Sequence, residues 1–475
     1  MADNLTKLNH LIDGKSVPPS SGEYRPGTNP SNGEPTVDIA SGNSADVETA
    51  IEAASRAYSG WRRFGSAERG RILMGVANLL RERADEIADI EIIDTGKPRF
   101  TALAEIENSA AYFEFYATLV NLPVGDVIDI QPNQHVFTRR EPFGVVGIIT
   151  PWNLPLNQGA RAIAPALVAG NTIVVKPAET SSQSTILLAE LCLEAGLPDG
   201  VLNIVLGSGS KVGTAIVEHP SVRKVAFTGS VEVGRKIGRV AAERIIPLTL
   251  ELGGKSANVV FEDADLDFAV GEAVRAFTNN AGQVCSAGTR LFVQRSVYDE
   301  FVRKVAEATG KLKVGTDVGP MITRDQYEQV QKYFSVAEED GAVTHVGGGL
   351  AEDPSLAGGF FVEPTVYGGT NEMRIAQEEI FGPVLIAIPF EDEEEAVRLA
   401  NDSDFGLISG VFTRDIGRAL RMADRIEAGQ VFVNSWSTGA VQMSFGGHKD
   451  SGYGREKGIE AINHYSHLKS VAVIY

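Results

Sequence analysis

The sequence predicts an α/β chain built from two doubly wound lobes, and three observations carry that prediction. Val145-Val146-Gly147-Ile148-Ile149-Thr150 is an apolar run of the kind found in strands buried on both faces of a parallel sheet. A helical segment near 155–168 and a second run, Thr172-Ile173-Val174-Val175, follow it, so the three read as a βαβ unit. A separate strand-and-helix series restarts at Gly253, and 475 residues are enough for more than one core.

Taken in order, Val47, Ala50, Ile51, Ala54, Tyr58 and Trp61 recur at helical spacing. Ile72, Val76, Leu79 and Leu80 repeat the pattern after the Gly65-Ser66 break, so the first lobe is expected to begin with helices. Beyond the βαβ unit come a helix ending near Ala195-Gly196, a strand over 201–205, a Gly turn, a helix to Glu218 and a strand over 224–227. These extend the unit into a doubly wound sheet. In the second lobe, 256–261 reads as a strand and 266–279 as a helix, and the cleft between the lobes is where a ligand is expected. The acidic run at 391–395 opens a helix whose N-terminal dipole favours acidic groups, a solvated face.

Two segments fit neither lobe. Residues 127–139 alternate and are interrupted by Pro132-Asn133, as in a hairpin, and 468–475 reads as a strand whose edge must be paired or covered.

A formal charge of -19 opposes binding to nucleic acid or to an anionic membrane surface. Cys192 and Cys285 are the two cysteines, which gives neither a disulfide framework nor metal-ligand spacing, so no metal is expected and a reducing compartment is. Met1-Ala2-Asp3-Asn4-Leu5-Thr6-Lys7 lacks a basic segment followed by an apolar one, and no apolar stretch approaches about 18 residues. The expected location is cytoplasmic.

The chemistry is concentrated in Leu250-Glu251-Leu252-Gly253-Gly254-Lys255 and Gly282-Gln283-Val284-Cys285-Ser286, which supply one carboxylate and one thiol. An aldehyde carbon has no leaving group, so a thiolate that adds to it goes forward only by expelling hydride. The resulting thioester then needs a water activated by a base of near-neutral pKa, a role suited to a partly desolvated Glu. Small neighbours Gly282, Ser286 and Gly288 leave Cys285 open to a ligand, whereas Cys192 sits in an apolar helix and reads as a buried core cysteine. His448 is the histidine to test as a partner of the thiol.

At these segments the sequence resembles the aldehyde dehydrogenase superfamily. The resemblance runs from Asp94-Thr95-Gly96-Lys97-Pro98 through Pro151-Trp152-Asn153, Lys176-Pro177-Ala178-Glu179, Phe227-Thr228-Gly229-Ser230 and Glu379-Ile380-Phe381-Gly382-Pro383 to Phe445-Gly446-Gly447-His448-Lys449. It implies a dinucleotide-binding domain at 1–123 and 143–251, a catalytic domain at 252–450, and a β oligomerisation flap at 124–142 and 459–475. A homodimer or homotetramer follows.

The resemblance makes Cys285 the nucleophile, Glu251 the base and Asn153 the side-chain donor to the thiohemiacetal oxygen. It assigns to NAD the residues Ile149, Thr150, Trp152, Lys176, Glu179, Gly209, Gly213, Phe227, Gly229, Ser230, Gly234, Gly253, Glu379 and Phe381. Lys176 and Glu179 would hold the adenosine ribose, where a Glu accepts from a 2′-OH and repels a 2′-phosphate. NAD is therefore favoured, with NADP as the alternative. From the residues alone the favoured readings are a snorkelling lysine for Lys176 and a helix cap for Glu179, while Asn153 also fits a turn residue and Glu251 a salt bridge at a strand end. Gly207-Ser208-Gly209-Ser210-Lys211-Val212-Gly213 departs by one residue from G-x-G-x-x-G and fits an unliganded turn as well.

Around the aldehyde the resemblance places Leu154, Gln158, Arg161, Val284, Ser286, Trp436 and Phe445. Simple aliphatic aldehyde oxidisers often carry Trp where Arg161 stands. A guanidinium in a partly apolar tunnel needs a partner, which suggests a semialdehyde or an oxygenated aromatic aldehyde, or else an Arg turned outward to a neighbouring acid. Ser444 and His448 depart from the family pattern at the tunnel floor. Competing functions are a coenzyme A acylating enzyme, whose members usually lack a match to Glu251, a thiol esterase, and a catalytically silent structural or binding protein of the same fold.

Overall fold

In the computed structural model, which describes residues 5–122 and 125–475, two large sheets dominate. Boundaries expected at residues 1, 123 and 124, and the first four residues of the N-terminal reading, lie outside the described residues. The first sheet has eight strands in the order Gly452–Tyr453, Leu248–Glu251, Val222–Thr228, Val145–Ile149, Thr172–Lys176, Leu202–Ile204, His10–Ile12, Lys15–Val17. The middle five are parallel and the outer ones antiparallel. Every residue of Val145–Ile149 and of Thr172–Lys176 is buried, as their unbroken apolar runs require once helices cover both faces.

The second sheet has seven strands, ordered Val343–Val346, Thr365–Gly368, Val384–Phe390, Arg290–Gln294, Ala257–Val260, Ile408–Phe412, Gln430–Val433. All neighbours run parallel except the first pair.

The helix Pro155–Val168 begins on Pro at its first position, where the missing N–H costs nothing, and all its residues are buried. It lies between the first sheet and the packed helices of the N-terminal region, whose core includes Tyr112, Phe113 and Tyr116.

The expectation that the first lobe begins with helices is corrected: five short strands, Lys7–Leu8, His10–Ile12, Lys15–Val17, Tyr24–Thr28 and Pro35–Ala40, precede Ser44–Trp61. Asp13 and Gly14, both at positive φ, turn His10–Ile12 back onto Lys15–Val17, while Leu11 pairs with Ile204 far along the chain. Lys7–Leu8, His10–Ile12 and Lys15–Val17 are too short to show an alternating pattern, and Pro26-Gly27 inside Tyr24–Thr28 reads as a turn.

The hairpin at 127–139 appears as Val127–Ile128 paired with Gln134–Pro142, and the C-terminal strand Ser466–Ile474 lies along the other side of Gln134–Pro142. Val127, Leu468 and Ile474 on this three-stranded sheet, and Ile130 in the connection between Val127–Ile128 and Gln134–Pro142, remain more than half exposed. Among the described residues no helix is long and apolar enough to cross a membrane, and no cluster of His, Cys, Asp and Glu is arranged to hold a metal.

Candidate active site

After Val145–Ile149 the chain steps outward to Thr172–Lys176 and Leu202–Ile204, then returns to Val222–Thr228 on the other side of Val145–Ile149. Neighbouring strands whose connections leave in opposite directions open a crevice at their C-terminal ends. Pro151, Trp152 and Asn153 follow one of these strands, Gly229 and Ser230 the other, and all five line a cleft of about 370 Å³ that also contains Gln158, Gly253, Cys285, Glu379 and Phe381. Thr228, Leu252 and Ile380, which stand in the quoted motifs without an assigned role, and Gln326 and Gln329, which had no sequence signal, complete the lining.

Cys285 is delivered by a strained turn. The helix Leu266–Thr278 runs into Asn279–Gly282, where Asn280, Ala281 and Gly282 take φ of 49°, 53° and 71°. For a non-glycine residue that conformation costs about 1–3 kcal/mol, so other contacts must impose it. Gln283 does so: its Nε2 donates to the Asn280 and Pro320 carbonyls at 3.2 and 3.1 Å, and its Oε1 accepts from Ile322 N–H at 2.8 Å. At Gly282 the chain presses on the Gly382 carbonyl, leaving no room for a Cβ.

Asn153 Nδ2 donates to the Gln283 carbonyl at 2.8 Å, and Asn280 Nδ2 donates back to the Asn153 carbonyl at 3.0 Å. The expected oxyanion donor and the expected nucleophile are thus tied to one loop. Burial pushes the Cys285 thiol up to about 11; Arg161 opposes this, Glu251 and Glu379 add to it, and Lys457 opposes it.

Glu251 ends the strand Leu248–Glu251 and is 1% exposed, with neither carboxylate oxygen hydrogen-bonded. Burial first, and then the Glu456 carboxylate, raise its pKa well above the usual range, against Arg161. A Cβ at Gly446 would stand 2.9 Å from Glu251 Oε1, so glycine there makes room for the carboxylate.

Arg161 is turned inward. Its Nε meets Glu456 Oε2 in an ion pair with both side chains almost fully buried, Nη2 donates to Thr228 Oγ1 at 3.3 Å, and the guanidinium carbon sits 5.1 Å from the Phe445 ring centre. An acidic neighbour was one of the two alternatives open from the sequence, but it lies in the interior rather than outside. Phe445 and Trp436 share an apolar cluster against which Cys285 packs, Val284 and Ser286 flank the thiol in the chain, and Leu154 caps the helix carrying Gln158 and Arg161.

On the cofactor side, the ring of Phe381, at φ 58°, meets Trp152 edge to face with centres 5.4 Å apart. Gly254 N–H donates to Glu379 Oε1 at 3.0 Å, and a side chain at Gly253 would collide with that carboxylate, which burial lifts to about 7. Gly229 N–H donates to the Glu251 carbonyl at 3.0 Å over the ring of Phe227, and Gly234 lets its helix close on Leu252. Lys176 is buried and burial pulls its ammonium down to about 8; Gly213 packs beside it and beside Ile149, in the turn Gly209–Gly213. Thr150 Oγ1 is buried without a partner. Glu179 pairs with Arg25 at 3.1 Å, a residue with no sequence signal because Tyr24–Thr28 is itself one of the unforeseen strands. An aromatic wall, an orphaned hydroxyl, a buried ammonium and a glycine-bounded carboxylate fit a dinucleotide.

His448 lies exposed on the short strand His448–Lys449 paired with Phe405–Gly406, and Cys192 is wholly buried, its thiol pushed by burial up to about 12. Glu456 and Lys457 were missed. They follow the last quoted motif within Gly454-Arg455-Glu456-Lys457-Gly458, where charged residues between glycines were the available signal.

The aldehyde dehydrogenase family model matches residues 17–471. The betaine aldehyde dehydrogenase of Mesorhizobium japonicum is 42% identical over 472 residues, covering 98% of this chain and 96% of the relative. That of Bacillus subtilis is 41% identical over 471 residues, covering 97% and 96%. Among solved structures, the betaine aldehyde dehydrogenase from Staphylococcus aureus in complex with NAD+ superposes with a TM-score of 0.96 at 38% identity, covering 98% of this chain and 94% of that one.

Proposed function

This chain belongs to the aldehyde dehydrogenase family, and from that premise we propose how its own residues carry out NAD-dependent oxidation of an aldehyde to an acid. The observation that carries the proposal is that Cys285 and Asn153 line one crevice while the buried, unpartnered Glu251 carboxylate lies close enough to the thiol to act on its charge.

Cys285 Sγ attacks the aldehyde carbon once its proton has passed to solvent water; Arg161 and Lys457 favour that loss and burial resists it. Asn153 Nδ2, together with a backbone N–H at Cys285, then holds the developing oxyanion. Each such donor stabilises the transition state by about 3–4 kcal/mol. NAD, when bound, supplies the hydride acceptor. Lys176 and Glu179 would take its ribose hydroxyls and Glu379 and Phe381 its reacting end, with Gly229, Ser230 and the N-terminus of the helix Val231–Arg244 receiving the phosphates. Glu251 takes a proton from the water that cleaves the thioester. Its raised pKa suits a base that works near neutral pH, and the absence of competing hydrogen bonds leaves both oxygens free to do so.

The names of the relatives specify betaine aldehyde, a cation. Arg161 is paired with Glu456, but Lys457 near Cys285 has no such partner among the described residues and disfavours a cationic substrate here, so we assign a neutral or anionic aldehyde, such as a semialdehyde or an oxygenated aromatic aldehyde. Assembly into a homodimer or homotetramer through Ser466–Ile474 and its neighbours is supported by the exposed Val127, Ile130, Leu468 and Ile474. Two free cysteines support a cytoplasmic location.

The test is NADH absorbance with a panel of aldehydes, followed by mass spectrometry of the trapped enzyme. Wild type should release NADH and acid and carry an acyl adduct on the Cys285 peptide. Cys285→Ala should do neither while still binding NAD. NADH formation by Cys285→Ala at the wild-type rate would remove the thioester route.

A further inference from the structure

Two cations stand against one aromatic wall of the aldehyde site, and their circumstances differ. The Arg161 guanidinium, 5.1 Å from the Phe445 ring centre, is neutralised by buried Glu456. On the same ring, 5.2 Å from its centre, stands the ammonium of Lys457, which also lies 5.8 Å from the centre of Tyr112. Among the described residues Lys457 makes neither an ion pair nor a hydrogen bond through its nitrogen, and its side chain is half-buried. Aromatic faces attract a cation without cancelling its charge. The ammonium is therefore held in place with its full charge and its three N–H donors available.

The backbone at Lys457 is also unusual. Its φ is 59°, a left-handed conformation that glycine would adopt more cheaply. Hydrogen bonds on both sides impose it: Phe445 and Glu456 exchange N–H to carbonyl bonds at 2.6 and 2.7 Å, Gly458 N–H donates to the Val441 carbonyl at 2.9 Å, and Tyr116 Oη donates to the Gly458 carbonyl at 3.0 Å. The strand-to-loop corner thus presents a lysine side chain where backbone economy favours none. Phe445 belongs to the cluster against which Cys285 packs, and the Lys457 charge acts on both the Cys285 thiol and the Glu251 carboxylate, so the ammonium lies near the point of attack.

We propose that Lys457 recognises a carboxylate at the far end of the aldehyde, so that this enzyme selects aldehyde acids over neutral and cationic aldehydes of the same length. Arg161 builds the wall by fixing Glu456 and Phe445, and Lys457 reads the ligand. The inference rests on the reading of Cys285 as the point of attack.

Three aldehydes matched in length test it: one ending in a carboxylate, one in the corresponding methyl ester, one in a quaternary ammonium. For wild type, kcat/KM should fall in that order. Lys457→Gln should lower the acid-to-ester ratio about tenfold, chiefly through KM, as expected for loss of a charge-assisted hydrogen bond. Lys457→Arg should restore most of the ratio, and Lys457→Glu should move preference toward the quaternary ammonium. An unchanged ratio in Lys457→Gln overturns the proposal, even if both rates fall together, because a structural defect would lower both alike. Calorimetric titration of the dicarboxylate product against its half-amide gives a readout that needs no turnover. Dicarboxylate affinity that drops about tenfold in Lys457→Gln supports the assignment, and equal affinity overturns it. If no aldehyde yields NADH, the reading of Cys285 fails while the titration still decides Lys457.

Discussion

Two buried charge clusters adjoin the helix Pro155–Val168, and they are finished to different standards. At its N-terminus, Glu91 Oε1 accepts from Leu156 N–H at 3.2 Å, Glu105 Oε1 accepts from Asn157 N–H at 3.1 Å, and Lys97 bridges their remaining oxygens, 3.0 Å from Glu91 Oε2. Both carboxylates cap the positive end of the helix, and although burial disfavours the ammonium, Glu105 and Glu91 outweigh it and raise the pKa of Lys97. On the cleft side, Arg161 and Glu456 touch but are poorly aligned, and Glu251 bonds to nothing. A buried polar group left without partners costs about 1–3 kcal/mol, more when charged. The first cluster commits its charges to holding the backbone around Asn153; the second leaves the Glu251 carboxylate uncommitted, as the proposed role in activating water requires.

The sharpest way to break this contrast is to neutralise one member on each side. Glu251→Gln should lower steady-state turnover about 10²–10⁴-fold, since it removes the base, while thermal stability holds or rises. A matching loss of melting temperature would place Glu251 with the structural cluster.

Lys97→Met should do the reverse. It leaves two buried carboxylates facing each other, and a loss of about 3–5 kcal/mol in unfolding free energy is expected by denaturant titration. Full stability in that variant would mean that the helix cap does not need its cation.

The smallest effect concerns a third buried charge, Lys176. With its folded pKa down at about 8, below an unfolded value of about 10.4, the folded state binds fewer protons between those values. Stability should therefore rise with pH across that window. If the ammonium holds the cofactor, NAD affinity should instead weaken as pH climbs through about 8, measured by fluorescence titration, and Lys176→Met should be flat. Parallel trends in stability and affinity would detach Lys176 from NAD.

Much of the frame was legible because its signals are local. The helix Pro155–Val168 is bounded by a proline and by the Gly170 turn, and Val145–Ile149 is apolar throughout, so both were read at nearly their final limits. Cys285, Glu251 and Asn153 were legible through motifs whose residues adjoin in the chain. Glu456, Lys457 and Arg25 were not, because each takes its meaning from a partner far away: Arg161, the rings of Tyr112 and Phe445, and Glu179. The partner of Arg161 had the same cause. Periodicity and composition report which face is buried, not which charge meets it there.

The edge strand Gly452–Tyr453 pairs with Leu250 and Glu251, and Ser451 bonds across to Leu252 and Gly253. The strand that ends at Glu251 therefore receives its outer support from a stretch translated some two hundred residues after it. A nascent chain still lacking residues 451–453 holds its thiol and its carboxylate but not the strand that pairs beside Glu251, so the two come into register only once that stretch has been made.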